Sequence, residues 1–224
     1  MTAIRSVGII GLGVIGGSLA RDLAARGIRV LAYDLDPAAL RAARDARVVS
    51  APLDPVFANA GDVDAVVIAL PLGAALAVLD GAGDRLARVP LVTDVCSTKR
   101  TMAAAAHRLG LTARFVGSHP LAGDHRSGWE AARADLFRGA TVYLCPAAET
   151  PAEPVAMLHA LWELAGAVPE TIDAAEHDRL LAWTSHLPQA ASTALGRALA
   201  RAGVQLDRLG PGGRDMTRLA HSSA

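Results

Sequence analysis

Residues 6–34, SVGIIGLGVIGGSLARDLAARGIRVLAYD, constrain the fold of this chain more than any other stretch. A short apolar run, Val7 to Ile10, is long enough for a buried strand. Gly11, Gly13 and Gly16 follow in G-x-G-x-x-G spacing and lead into a helix-patterned segment that reaches about Arg26. A second apolar run, Ile28 to Tyr33, ends on Asp34. Each part has a mechanical job in holding a dinucleotide. Gly11 allows a tight turn, Gly13 lets the backbone approach a pyrophosphate, and Gly16 lets the helix pack close to the strand. Val14 and Ile15 open the helix, whose free N–H groups and dipole face the phosphates. Asp34 can accept hydrogen bonds from an adenosine ribose hydroxyl and would repel a 2′-phosphate, so NAD is expected over NADP. A glycine triplet alone is weak evidence. The strand before it, the helix after it and the acid closing the second strand make it specific.

At 224 residues the chain is long for one domain and short for two. Alanine supplies much of its apolar content and aromatics only 4%, which favours close-packed helices against a sheet. Lysine plus arginine and aspartate plus glutamate both number 22, and no basic run marks a nucleic-acid footprint. Cys96 and Cys145 make neither a disulfide framework nor a metal site, so no metal is expected. No apolar stretch reaches transmembrane length and the N-terminus has no signal pattern. The expectation is a soluble cytoplasmic protein with no membrane partner. Of the 22 basic residues only Lys99 is a lysine.

Apolar runs near 6–10, 28–33, 64–69, 90–94, 113–117, 140–144 and 168–172 alternate with helix-patterned segments. This predicts an α/β fold, a doubly wound and mostly parallel Rossmann-type sheet over residues 1–173. A small all-helical domain, 174–224, should follow. Its long helix, 174–201, carries an apolar stripe at Leu180, Trp183, Leu187 and Leu199, and Pro188 should bend it. Special residue types collect where successive strands end: Gly11, Asp34, Leu70-Pro71, Asp94-Val95-Cys96-Ser97-Thr98-Lys99, and Gly117-Ser118-His119-Pro120-Leu121-Ala122-Gly123. Open α/β sheets bind ligands at that edge, whereas unrelated core residues would scatter to both.

Each motif also has an ordinary reading. Ser97 or Thr98 can simply cap the next helix. A lone histidine such as His119 is usually structural or solvated, although beside a nicotinamide site it becomes a plausible acid/base. Cys96 reads as a small buried side chain, since nothing nearby lowers its pKa. Asp178 of His177-Asp178 favours a helix N-terminus, and His186 is an ordinary helix residue. Arg214 and Arg218 can recognise carboxylates, though exposed arginines are the commoner case.

Together the motifs are no longer anonymous. GLGVIGGSLA, DVCSTK, GSHPLAG followed by Ser127-Gly128, then HD, SHLP and RDMTRLAHSS, occur in this order across nearly the whole chain. The chain resembles the prephenate/arogenate dehydrogenase family of tyrosine biosynthesis. The resemblance implies NAD-dependent oxidative decarboxylation of prephenate to 4-hydroxyphenylpyruvate, or of arogenate to tyrosine. It implies that His119 accepts the proton of the ring hydroxyl and that Ser97 orients that hydroxyl, His119 and the nicotinamide. His186 would line the substrate pocket and Arg218 would pair with a substrate carboxylate. Lys99 and His125 join the expected substrate-binding set, with His125 standing where the family often has an acid. Gln189 and Gly213 are further departures, and all three bear on substrate preference. The helical domain should mediate a homodimer. Family members carry more helices after the arginine motif, whereas this chain stops at Ala224, so it should self-associate through residues 174–224 or be poorly soluble and weakly active. A β-hydroxyacid or 6-phosphogluconate-type dehydrogenase is the enzymatic alternative, but those place a catalytic lysine in the second domain and this chain has none beyond Lys99. A chain that binds nucleotide without turnover is the non-enzymatic alternative.

Overall fold

The computed structural model describes residues 4–221. They form two compact units divided between His177 and Asp178. In the first, β1 (Ser6–Ile10) runs into α1 (Val14–Ala25). The alternation continues through β2 (Arg29–Tyr33), α2 (Pro37–Asp45), a short β3 (Ala51–Pro52), β4 (Ala65–Ile68), α3 (Leu72–Leu86), β5 (Leu91–Asp94) and α4 (Arg100–Arg108). These five strands are parallel, in the order β3-β2-β1-β4-β5. Successive residues Val66, Val67 and Ile68 are all buried, because both faces of the sheet are covered. Val7, Ile9 and Val67 pack with Leu19 and Leu23 of α1 on one face. Ile10, Val66 and Ile68 pack with Leu79 of α3 and Met102 of α4 on the other.

Beyond α4 the plan changes. Strands β6 (Val116–Pro120), β7 (Thr141–Pro146) and β8 (Val168–Thr171), with α5 (Ala152–Leu164) between the last two, form a second sheet. In it β6 is antiparallel to β7, and β7 is parallel to β8. A parallel bridge between Val92 and Phe115 sets this sheet beside β5. The apolar run placed the fifth strand at 113–117, but the strand begins later and extends through Pro120. Hydropathy misses this because Ser118 is polar yet wholly buried, its hydroxyl donating to the Asp94 carbonyl at 2.7 Å. His119 therefore lies within a strand, in register with Tyr143, and not on a free turn.

The segment between β6 and β7 is tied down onto α1. Arg133 N–H donates to Ser18 Oγ at 3.0 Å and Asp135 N–H donates to Asp22 Oδ1 at 2.8 Å. The Arg21 guanidinium lies 4.0 Å over the Trp129 ring. Burial pushes the Asp22 carboxyl above its ordinary range, against the Asp135 N–H, which lowers it.

Helix α6 (Ala174–Leu181) crosses the division between the units. It widens into a π turn, Ala182–His186, and continues as α7 (Leu187–Arg201). Pro188 has no N–H to offer, and just before it Leu187 N–H bonds five residues back to Ala182. The proline thus acts as a local widening of the helix. The short α8 (Pro211–Thr217) packs on α7, and Gln189 Nε2 donates to the Leu219 carbonyl at 2.7 Å. Of the expected apolar stripe, Trp183 and Leu187 stand 68% and 51% exposed while Leu180 and Leu199 are half-buried, and Met216 adds a further apolar side chain 58% exposed. Among the described residues no helix is long and apolar enough to cross a membrane, and no cluster of three metal-ligating side chains occurs.

Candidate active site

The site lies at the carboxyl edge of the five-stranded sheet, where β1 neighbours β4 and the strand order reverses. Gly11 there has φ +98°, a conformation that glycine alone adopts easily. A Cβ on Gly16 would strike the Gly11 carbonyl, so no larger residue lets α1 start this close to β1. A Cβ on Gly13 would meet nothing, leaving the loop open on its outer side. The first turn of α1 has no side-chain cap and no acid, so its N–H groups remain available to an anion.

Two openings flank this glycine loop. One, about 410 Å³, is walled by Gly11, Tyr33, Asp34, Val56, Phe57 and Leu70 and is chiefly apolar. Asp34 accepts from Leu12 N–H at 2.6 Å and Asp36 N–H at 2.8 Å. Those bonds fix the carboxylate at the mouth of the slot while leaving lone pairs for a hydroxyl. The other is a cleft of about 460 Å³ that includes Gly13, Val14, Ile15, Pro71, Ser97 and His119. Leu70 borders both. Such a pair of openings, a chiefly apolar slot and a cleft that carries Ser97 and His119, on either side of a bare helix N-terminus, suits the two halves of a dinucleotide.

His119 is half-buried on β6, and its Nδ1 lies 3.0 Å from Nε2 of His177, a fully buried residue. The two rings meet edge to face at 5.2 Å, and Tyr143 closes on His177 at 5.6 Å. Engaging Nδ1 orients the His119 ring. His177 was legible only as part of an HD pair. Its partnership with His119 spans 58 residues and no local pattern announces it.

Lys99 does not line the cleft. Expected among the substrate-binding residues, it is instead buried beneath, with Nζ 2.5 Å from Asp94 Oδ2 and 2.6 Å from the Ser118 carbonyl. A buried ammonium is sustained only by such partners, and Asp94 at the end of β5 supplies the charge. Asp94 Oδ2 also accepts from Cys96 N–H at 2.9 Å, which shapes the turn that presents Ser97 to the cleft. Burial, reinforced by the Asp94 carboxylate, pushes the Cys96 thiol up to about 12, so it is no nucleophile.

His125 is exposed at the rim, 3.3 Å from Asp124. Asp124 itself accepts from Arg126 Nε and Nη2, at 3.0 and 2.9 Å, and from Arg133 Nη1 at 2.7 Å. The Arg126 hydrogen bonds hold its carboxyl far below the usual carboxylate range. His186, in the π turn, and Arg218, after α8, belong to the second unit and are both exposed.

Residues 19–171 match the nucleotide-binding domain of prephenate dehydrogenase, and residues 173–224 match its dimerization domain. The prephenate dehydrogenase of Bacillus subtilis is 31% identical over 223 residues, covering 96% of this chain and 60% of that protein. The cyclohexadienyl dehydrogenase of Zymomonas mobilis is 32% identical over 190 residues, 84% of this chain and 65% of that one. A crystal structure of Aquifex aeolicus prephenate dehydrogenase in complex with hydroxyphenyl propionate and NAD+ has a TM-score of 0.88 at 29% identity. That likeness covers 99% of this chain and 80% of the other. The chain spans between 54% and 65% of the length of the curated relatives it matches.

Proposed function

Since the chain belongs to the prephenate dehydrogenase family, we propose that it catalyses NAD-dependent oxidative decarboxylation of prephenate or arogenate. The observation that carries this reading is the shared cleft. His119 and Ser97 face the same space as the open first turn of α1. In this reading Gly11, Gly13, Val14, Ile15 and Gly16 receive the pyrophosphate, Asp34 the adenosine ribose, and Leu70 and Pro71 the wall between the openings. Bound NAD supplies the acceptor for the hydride that leaves the ring carbon. His119 takes the proton of the substrate's ring hydroxyl, its ring held in place by the Nδ1 contact with His177. Ser97 hydrogen-bonds the same hydroxyl and fixes its direction. Arg218 pairs with a substrate carboxylate, and His186 contributes to the substrate pocket from the helical unit. Lys99 acts by position, holding the end of β5 to the strand that carries His119.

The helical unit also supports self-association. Its match is to a dimerization domain, and Trp183, Leu187 and Met216 leave apolar surface in water that a second copy would cover. The test of the catalytic reading is stoichiometric. With prephenate and NAD, and separately with arogenate and NAD, one NADH and one CO2 should appear per substrate consumed. Neither product from either substrate contradicts the reading; NADH formed from a β-hydroxyacid would then favour that class, and no NADH from any of them would favour binding without turnover.

A further inference from the structure

Among the described residues, Arg126 is the only lysine or arginine lining the cleft that holds Ser97 and His119. Its position is built. Asp124, only 10% exposed, grips the guanidinium through Nε and Nη2 and also accepts from Arg126's own N–H at 3.0 Å. Arg133 reaches the same carboxylate, and its N–H is anchored to Ser18 on α1. Two guanidiniums against one carboxylate leave surplus positive charge at the rim. The bidentate grip uses one edge of Arg126, while Nη1 makes no hydrogen bond among the described residues. The side chain remains 58% exposed. A guanidinium fixed on one edge and open on the other has lost rotamer freedom before any ligand arrives, which favours a second fork-like contact.

We propose that Arg126 is an anion-recognising arm of this cleft, preorganised by Asp124, that takes a carboxylate of the substrate. This deepens the catalytic reading above and rests on it. Prephenate and arogenate each carry two carboxylates, one of which leaves as CO2. A cation paired with the departing carboxylate would hold the ground state and slow its loss, so Arg126 is assigned to the one that stays. An interaction present equally in ground and transition states affects binding and leaves turnover nearly constant. The pyrophosphate of the dinucleotide offers similar oxygens in the same cleft, and the test separates the two.

Calorimetric titration of prephenate into NADH-loaded protein, with a separate NADH titration, reads binding without requiring turnover. Failure of the catalytic reading and failure of this one are therefore distinct results. Arg126→Ala should weaken prephenate binding at least about tenfold, roughly 1.4 kcal/mol, with NADH binding within about twofold. Arg126→Lys should recover part of the loss, since a point charge lacks the fork. Asp124→Asn should weaken prephenate binding less than Arg126→Ala, because the charge remains but its placement loosens. A loss confined to NADH overturns the substrate assignment and gives the arm to the pyrophosphate instead. The proposal is overturned if Arg126→Ala, folded as judged by an unchanged melting temperature, binds both ligands as the parent does. A parent chain that binds neither prephenate nor, in the same titration, arogenate overturns it as well.

Discussion

Replacing Lys99 by methionine keeps the length and apolar stem of the side chain and deletes only its ammonium. What remains is a carboxylate, Asp94, that is wholly excluded from solvent and has lost a partner 2.5 Å away. Breaking a buried ion pair from one side typically costs about 3–5 kcal/mol, because the surviving charge is left uncompensated. The Ser118 carbonyl loses a 2.6 Å hydrogen bond in the same change, which keeps the expected cost toward the upper part of that range. Against a total stability of about 5–15 kcal/mol this is a large fraction. At roughly 2–4 °C per kcal/mol for a unit of this size, the melting temperature should fall by about 6–20 °C. Circular dichroism melts and urea titrations both read the effect, and an unchanged m-value would assign it to stability alone. Adding Asp94→Asn to Lys99→Met removes the stranded charge while keeping an oxygen for Cys96 N–H, so the double variant should recover much of the loss. A Lys99→Met protein that melts within about 2 °C of its parent would refute the argument that this pair pins β5 to β6.

Three further outcomes follow from the same geometry. Gly16→Ala puts a Cβ onto the Gly11 carbonyl, so the glycine loop must shift and NAD affinity should drop at least about tenfold by direct titration. His177→Leu removes the partner of His119 Nδ1. It should lower kcat by roughly ten- to hundredfold with little change in KM, less than the 10²–10⁴-fold cost of losing the base itself. Asp22 has a folded pKa raised by burial above its ordinary 3.8, so its charged form lowers stability at neutral pH and its protonation restores that stability as pH falls through the raised value. Asp22→Asn should therefore melt above the parent at pH 7, with the margin narrowing as the pH approaches 3.8.

The shape of the glycine loop was legible because its constraints are local. A positive φ at Gly11, a forbidden Cβ at Gly16 and an acid after β2 all act within one strand–helix–strand unit. The strand-edge argument likewise brought Ser97 and His119 to one cleft, since parallel strands end on the same side. What the sequence hid was tertiary. Antiparallel pairing of β6 with β7 depends on a partner more than twenty residues away, and it moved the strand onto Ser118 and His119. Lys99 looked like a ligand-binding cation because nothing local says that Asp94, five residues earlier, turns inward to meet it. His177 stayed in the background for the same reason. Asp124 and Arg126 sit two residues apart, but the cleft that gives their pairing meaning is made by other elements.

The central claim is that His119, held by His177 and facing the nucleotide cleft, is the base that starts substrate oxidation. The most direct test is NAD reduction under saturating prephenate, and in parallel arogenate, by the parent chain and by His119→Asn. Turnover should fall 10²–10⁴-fold with the better substrate while NAD still binds with its parental affinity. A His119→Asn protein that reduces NAD at close to the parental rate would contradict it, and would move the proton acceptor to another group in the cleft.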